Sequence, residues 1–340
     1  MDDDQALFQG YGEVFGQDLS ESSRRRWRWQ YLENPATGPE GPEIWVAHDN
    51  SSPLGQYASM PVSLWWGGRE VRASWGMDVF LRPEARGRGI GAQLFTTWSD
   101  HVEVALGLGL TPSSYGLFQK LRFEDVGPVP FFQRILDPRA VAVRRLGPVW
   151  GPLGGLGLRG WLAATHLARA RRPPGVSVGR VSRFGSDFDA LWERARGSYA
   201  MCVRRDAAYL TWKYLACPAR SYEIREARRD RQLVGFAVSR HEDYRGLRLG
   251  WILDVFADAS DQQAKDALLF AILDDFRAAG VARAQAFSMN RALAGDLRRH
   301  GFRAGRSPMQ FCVRSRTASG TVFQDLGRWH VVFGDSDMDR

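Results

Sequence analysis

Lysine is almost missing from this chain: Lys120, Lys213 and Lys265 stand alone in 340 residues, so arginine supplies 43 of the 46 basic side chains (46 minus 3). Genomic base composition explains such a skew as readily as selection for planar donors. Together with the formal charge of +8, it implies only a general preference for anionic partners. Cysteine is equally sparse. Cys202, Cys217 and Cys312 are odd in number, widely spaced and without a paired ligand pattern, which argues against a disulfide framework and for a reducing, cytoplasmic setting. The six histidines are scattered, so no metal cofactor is expected. No uninterrupted apolar run reaches the roughly 18 residues of a membrane-spanning helix. Met1-Asp2-Asp3-Asp4 has neither the basic start nor the apolar core of a secretion signal. The remainder is 44% hydrophobic and 12% aromatic, a packed globular composition long enough for two domains.

Residues Met77 to Leu94 read as an apolar strand, a basic glycine-rich turn and the first turn of a helix. Gly87, Gly89 and Gly91 remove the Cβ atoms that would hold a diphosphate away from the main chain. The helix opening near Ile90 adds its positive end and N–H donors that lack intrahelical acceptors, and Arg86 and Arg88 add charge. A tight strand-to-helix connection is the plain alternative. Gly87-x-Gly89-x-x-Ala92 also satisfies a permissive dinucleotide fingerprint, but that motif wants its first glycine at the strand end and an acid closing a second strand. Here five residues separate Leu81 from Gly87, and Asp100 and Glu103 fall in the expected helix.

The segment Arg86-Gly87-Arg88-Gly89-Ile90-Gly91 resembles the Arg/Gln-x-x-Gly-x-Gly/Ala loop of GNAT acyltransferases (Gcn5-related N-acetyltransferases). The resemblance implies that Arg86, Gly87, Arg88, Gly89, Ile90, Gly91 and Ala92 hold the pyrophosphate of acetyl-CoA or another acyl-CoA, used as co-substrate with no metal. It further implies that the main chain of Phe80 and Leu81 aligns the pantetheine arm, with Thr111 and Ser114 contacting it. Asp78, three residues before the strand-terminal Leu81, stands where the family often places the carboxylate that takes the amine proton. The usual thiolate-protonating tyrosine corresponds to Phe118, which cannot donate and is left as a contact to the donor. Tyr115, three residues earlier on the same helical face, is the substitute. Arg122 replaces a family glycine.

A repeat runs through the chain. Trp29-x-Tyr31-Leu32-x-x-Pro35 returns as Trp212-x-Tyr214-Leu215-x-x-Pro218, Asp78-Val79-Phe80 as Asp254-Val255-Phe256, and Leu121-Arg122-Phe123 as His300-Gly301-Phe302, in the same order. In the first half, strands are expected at 43–48, 54–63, 70–81 and 104–110, and helices at 19–33, 90–102 and 113–121. In the second, strands are expected at 221–226, 231–241, 247–257, 281–287 and 308–314, and helices at 187–196, 206–215, 261–279 and 291–299. The expected class is α+β: two tandem GNAT-like domains, each a mixed, mostly antiparallel sheet flanked by helices. The boundaries read 1–138 for the donor-binding domain, 139–175 for a connector and 176–340 for a second domain without the loop. The repeat also reinterprets Arg24-Arg25-Arg26-Trp27-Arg28-Trp29. Its tryptophan part recurs without the arginines, so a packed helix is favoured over a nucleic-acid stacking surface.

Between the halves, 141–174 mixes Trp150, Leu153, Leu156 and Trp161 with six arginines. It is either a folded-over connection or a docking element for an acyl carrier protein or an anionic membrane surface. After Phe256 the second half offers Asp258 and Asp261 instead of glycines and arginines, and acids at a helix start repel a diphosphate. The acidic end, Gly334 to Asp339, lacks the glycine and glutamate of a calcium loop and reads as a solvated tail. The function expected is acyl transfer from acyl-CoA, or from a carrier-linked thioester, directly to a small-molecule or peptide amine. The alternatives are a peptidyltransferase using aminoacyl-tRNA and a non-catalytic CoA-binding scaffold.

Overall fold

The computed structural model describes residues 20–49, 53–165, 170–307, 309–317 and 323–337. The first residues of the expected helix 19–33 and strand 308–314, residues 166–169 of the connector, and Met338 and Asp339 lie outside the described residues.

Two long hairpins organise the chain. In the first half, β1 (Ile44–His48) pairs with β2 (Pro53–Trp66), which turns through Gly67-Gly68 into β3 (Arg69–Leu81). Both turn glycines have positive φ, 60° and 87°, the geometry a two-residue turn needs to match strand twist. The helix Ile90–His101, β4 (Val104–Leu108), the helix Pro112–Lys120, β5 (Glu124–Pro128) and β6 (Phe131–Ile135) follow. The second half repeats the scheme. After β7 (Ser177–Arg180) and β8 (Met201–Val203), β9 (Glu223–Arg229) pairs with β10 (Gln232–Tyr244), which turns at Arg245-Gly246 into β11 (Leu247–Ala257). The helix Gln262–Ala278, β12 (Arg283–Phe287), the helix Arg291–Arg299, β13 (Arg303–Gly305), β14 (Gln310–Ser315) and a short β15 (Trp329–His330) complete it.

Each half's last central strand crosses to the other sheet. The first sheet runs β15-β8-β2-β3-β4-β14-β5 and the second β13-β6-β12-β11-β10-β9-β7. Strand β14 of the second half lies between β4 and β5, antiparallel to both, and β6 of the first half lies between β12 and β13 in the same way. A division of the chain at 138 therefore leaves β6 with residues whose sheet it does not join. This exchange was not readable from the sequence, because periodicity marks a strand without naming its partner.

The repeat is visible as a local two-fold. Trp29 and Trp212 stack with centroids 5.1 Å apart, and each indole N–H donates to the other's carbonyl, at 2.7 and 2.8 Å. Stacked rings of this kind add roughly 0.5–1.5 kcal/mol beyond their burial. Trp27 and Trp29 are buried while Arg24, Arg25 and Arg28 are exposed, so this aromatic run belongs to the core. The expected helix 206–215 is a short helix, Ala207–Leu210, continued by a π-turn over Thr211–Leu215. The connector contains a helix, Pro138–Thr165, broken at Gly147.

Under β4, Phe118 lies over Gly107: a Cβ there would stand 2.2 Å from its ring. Gly107→Ala is expected to cost about 1–3 kcal/mol through forced displacement of that ring, read as a lowered urea midpoint at unchanged m-value. An unshifted midpoint would remove this account of the packing.

Candidate functional site

β3 interrupts its own ladder where the site lies. Its register with β2 slips between Gln56 and Ala58, so Asp78 and Val79 bulge opposite Tyr57. Asp78 takes φ 46°, a left-handed conformation that aspartate tolerates better than branched residues do. Its carboxylate, 8% exposed, meets the helix Glu21–Tyr31, where the Tyr31 hydroxyl and the Gln30 amide donate to it, the latter at 3.2 Å. Both donors are neutral. Gln30 also lines a recess of about 20 Å³ with Arg26, Met60, Lys213, Tyr222 and Asp337, where first-half and second-half residues meet. That volume holds about one water.

On the other edge of β3, the parallel ladder with β4 ends at Trp75 opposite Leu106, although β3 continues to Leu81 and β4 to Leu108. Parallel strands that stop pairing diverge, and this gap opens at their C-terminal ends. There, past a single 3₁₀ turn at Pro83–Ala85, sits the glycine turn. Gly87 and Gly89 have φ 75° and 80°. Gly89 caps the helix Ile90–His101, and Gln93 makes the first intrahelical bond, to Gly89 O at 3.1 Å. The N–H groups of Ile90, Gly91 and Ala92 thus belong to the open first turn. Among the described residues, no atom beyond the adjoining residues lies within 4 Å of a Cβ built on Gly87 or Gly89, whereas one on Gly91 would press Leu81 at 3.1 Å. Arg86 donates to Leu81 O at 3.4 Å, which keeps its guanidinium beside the end of β3, and Arg88 is exposed. Exposed amides and two guanidinium groups at a helix N-terminus can bind a diphosphate.

The other candidates lie along the helix Pro112–Lys120. Thr111 caps it by accepting from Ser114 N at 3.2 Å, and the two hydroxyls bond each other at 3.0 Å. Tyr115 donates to Asp125, and that bond, with some burial, pushes the phenol up to about 12. Phe118 is 1% exposed and packs edge-on or tilted against Phe95, Trp98 and Phe123, so its ring belongs to the core rather than to an open surface. Phe80 is buried and Leu81 half-buried.

The same place in the second half is closed. The ladder of β11 with β12 ends at Ile252 opposite Ala286, and the chain's own segment Val331–Asp335 fills the gap. Phe333 stacks between Trp251 and Phe287, at 4.9 and 5.2 Å, and Val332 bridges to Ser288. Asp254, the repeat counterpart of Asp78, bonds Tyr214, the counterpart of Tyr31, at 3.4 Å, but it also pairs with Arg205 at 3.0 Å. Arg205 is wholly buried and pairs with Asp335 at 2.8 Å as well. Burial pushes Asp335 up to about 6 and His330, which lies beside Asp254, down to about 4. At the helix start, Asp261 accepts from Ala264 N and pairs with Arg229. Burial opposes ionisation of Asp261, but those bonds outweigh it and hold its carboxyl below the usual range. The sequence carried no signal for the plug or for Arg205. The Tyr31–Asp78 bond could have been suspected from the two repeated motifs, since Tyr214 and Asp254 repeat both partners.

Among the described residues, no group of three or more histidine, cysteine or acidic side chains could hold a metal, and no helix is long and apolar enough to cross a membrane.

Residues 2–124 match the family model for the acetyltransferase (GNAT) domain. No curated protein matches the chain by sequence. Among solved structures, a GCN5-related N-acetyltransferase from Anabaena variabilis superposes with a TM-score of 0.63 at 14% identity, covering 93% of this chain and 71% of that one. A GCN5-related N-acetyltransferase from Kribbella flavida gives 0.59 at 14% identity, covering 92% and 68%. Saccharomyces cerevisiae N-myristoyltransferase with bound myristoyl-CoA gives 0.51 at 12% identity, covering 86% and 70%. At such identities the likeness is one of fold.

Proposed function

We propose that this protein, whose N-terminal region is a GNAT domain, is an N-acyltransferase that binds acyl-CoA in its first half and passes the acyl group directly to an amine. The observation that carries the reading is the coincidence of the divergent β3–β4 ends with the glycine turn at 86–92, present in one half and replaced by a plug and acids in the other. A diphosphate would lie on the amides of Gly87 to Ala92 between Arg86 and Arg88, and the pantetheine arm would extend along β3 at Phe80 and Leu81. The several donors suit the diphosphate of CoA better than the single phosphate of a carrier-linked arm.

The chemistry asked of the protein is modest: hold the thioester against a neutral amine and remove one proton. Asp78, bulged toward the junction of the halves, would accept the amine proton, directly or through a water, while Tyr31 and Gln30 fix the carboxylate. The amine nitrogen bonds to the acyl carbon, the C–S bond breaks, and the thiolate leaves with the CoA. Thiolates leave readily without an acid. This suits a protein whose Phe118 has no proton to give and whose Tyr115 hydroxyl is bonded to Asp125. The acceptor would approach past Gln30 and Lys213, from the side to which the second half contributes.

Calorimetric titration with CoA tests the donor site. Arg86→Ala and Gly89→Pro should each weaken CoA binding roughly ten- to hundred-fold, the worth of a charge-assisted hydrogen bond. Unchanged affinity in both variants would overturn the assignment. CoA binding without turnover across an amine panel would identify a scaffold, and salt-sensitive binding of charged tRNA in place of CoA would identify the peptidyltransferase.

A further inference from the structure

The helix Pro138–Thr165 carries its large side chains on the outside. Gly147, at φ 78° and ψ 173°, breaks it into two arms. A Cβ on Gly151 would stand 2.4 Å from Val143 Cα, and one on Gly155 would stand 2.9 Å from Arg139 Cα. The arms are therefore antiparallel and packed backbone to backbone through glycine. Turned away from that seam, Val149, Trp150, Leu153 and Leu156 are 75, 66, 63 and 67% exposed. With Leu146 and Trp161 they make up six of the eight large apolar side chains exposed among the described residues.

Charge indicates what covers this ridge. Residues 138–172 contain no aspartate or glutamate, and Arg139, Arg144, Arg145 and Arg159 are exposed on the two arms. Beneath the hairpin, a cleft of about 870 Å³ at the start of β11 and β12 is lined by Arg144, Arg145, Arg283 and Arg303. No described helix is long and apolar enough to cross a membrane.

We propose that this hairpin docks the protein on an anionic lipid surface. Its tryptophan and leucine side chains enter the headgroup boundary and its arginines lie at phosphate level. Exposed tryptophan and leucine side chains flanked by arginines fit the boundary of an anionic bilayer.

Flotation with phosphatidylcholine vesicles, with and without phosphatidylglycerol, tests this. The protein should float with the anionic vesicles and not with neutral ones, and added salt should release it. Trp150→Glu/Leu153→Glu should abolish flotation. Arg145→Gln/Arg159→Gln should lower the partition roughly twenty-five-fold, at about five-fold per arginine near an anionic surface. Gly89→Pro should float like the wild type, so the lipid and donor sites are read separately. The proposal is overturned if the wild type floats with neither vesicle, if neither pair of substitutions changes flotation, or if holo acyl carrier protein is retained where vesicles are not.

Discussion

Asp78→Asn is expected to lower kcat by about 10²–10⁴, the usual worth of a positioned general base, while the KM for acyl-CoA stays as it is. The substitution keeps the shape of the side chain and its place in the bulge, and the neutral amide can still bond Tyr31 and Gln30. What it removes is the capacity to take a proton. Steady-state kinetics with an amine acceptor separates the two parameters. The repeat supplies the rival reading: Asp254, next to the unpaired Leu253 of β11, is bonded to a guanidinium beside a filled gap, a structural role. If Asp78 merely repeats that role, Asp78→Asn will leave kcat intact and lower the melting temperature instead. Asp78→Glu, which keeps the charge but not the reach, should fall between wild type and Asp78→Asn in kcat.

Arg205→Met should cost about 3–5 kcal/mol of stability, the penalty for leaving buried carboxylates without their cation. Arg205 bonds Asp254, Asp335 and Val203 O, the last at 2.6 Å, and ties β8 to β11 and to the plug. The effect should depend on pH with a defined sign. Without the guanidinium, burial raises both carboxyl pKa values above those of the unfolded chain. The folded variant then binds more protons than the unfolded one, and its stability falls as pH rises. The deficit against wild type should therefore be smaller at pH 5 than at pH 7.5. Urea unfolding at both values measures it. A loss below about 1 kcal/mol, or a deficit that does not narrow in acid, would contradict the reading of this cluster.

Much of the fold was legible because its signals are local. The glycine turn was legible as a break between strand and helix, and Gly87 and Gly89 take positive φ there. The long helix expected at 261–279 is observed at Gln262–Ala278, where apolar residues recur at helical spacing. The repeat marked the two halves through Trp29 and Trp212, which stack on each other. Short strands such as β5, β6, β8 and β13 were missed, whereas β1, β4 and β12, no longer than β5 and β6, stood out by their apolar runs.

By itself, the sequence determined the α+β class, the duplication, the placing of the basic glycine turn in the first half alone and the basic, apolar character of 141–174, because each follows from the chemistry of neighbouring residues. Tertiary structure alone decided that β6 and β14 change sheets, that Phe333 fills the second gap and that glycine, not leucine, lines the seam of the connector hairpin. Those outcomes depend on which distant surfaces meet, and strand pairing and side-chain packing are settled by the whole chain at once rather than by any stretch of it.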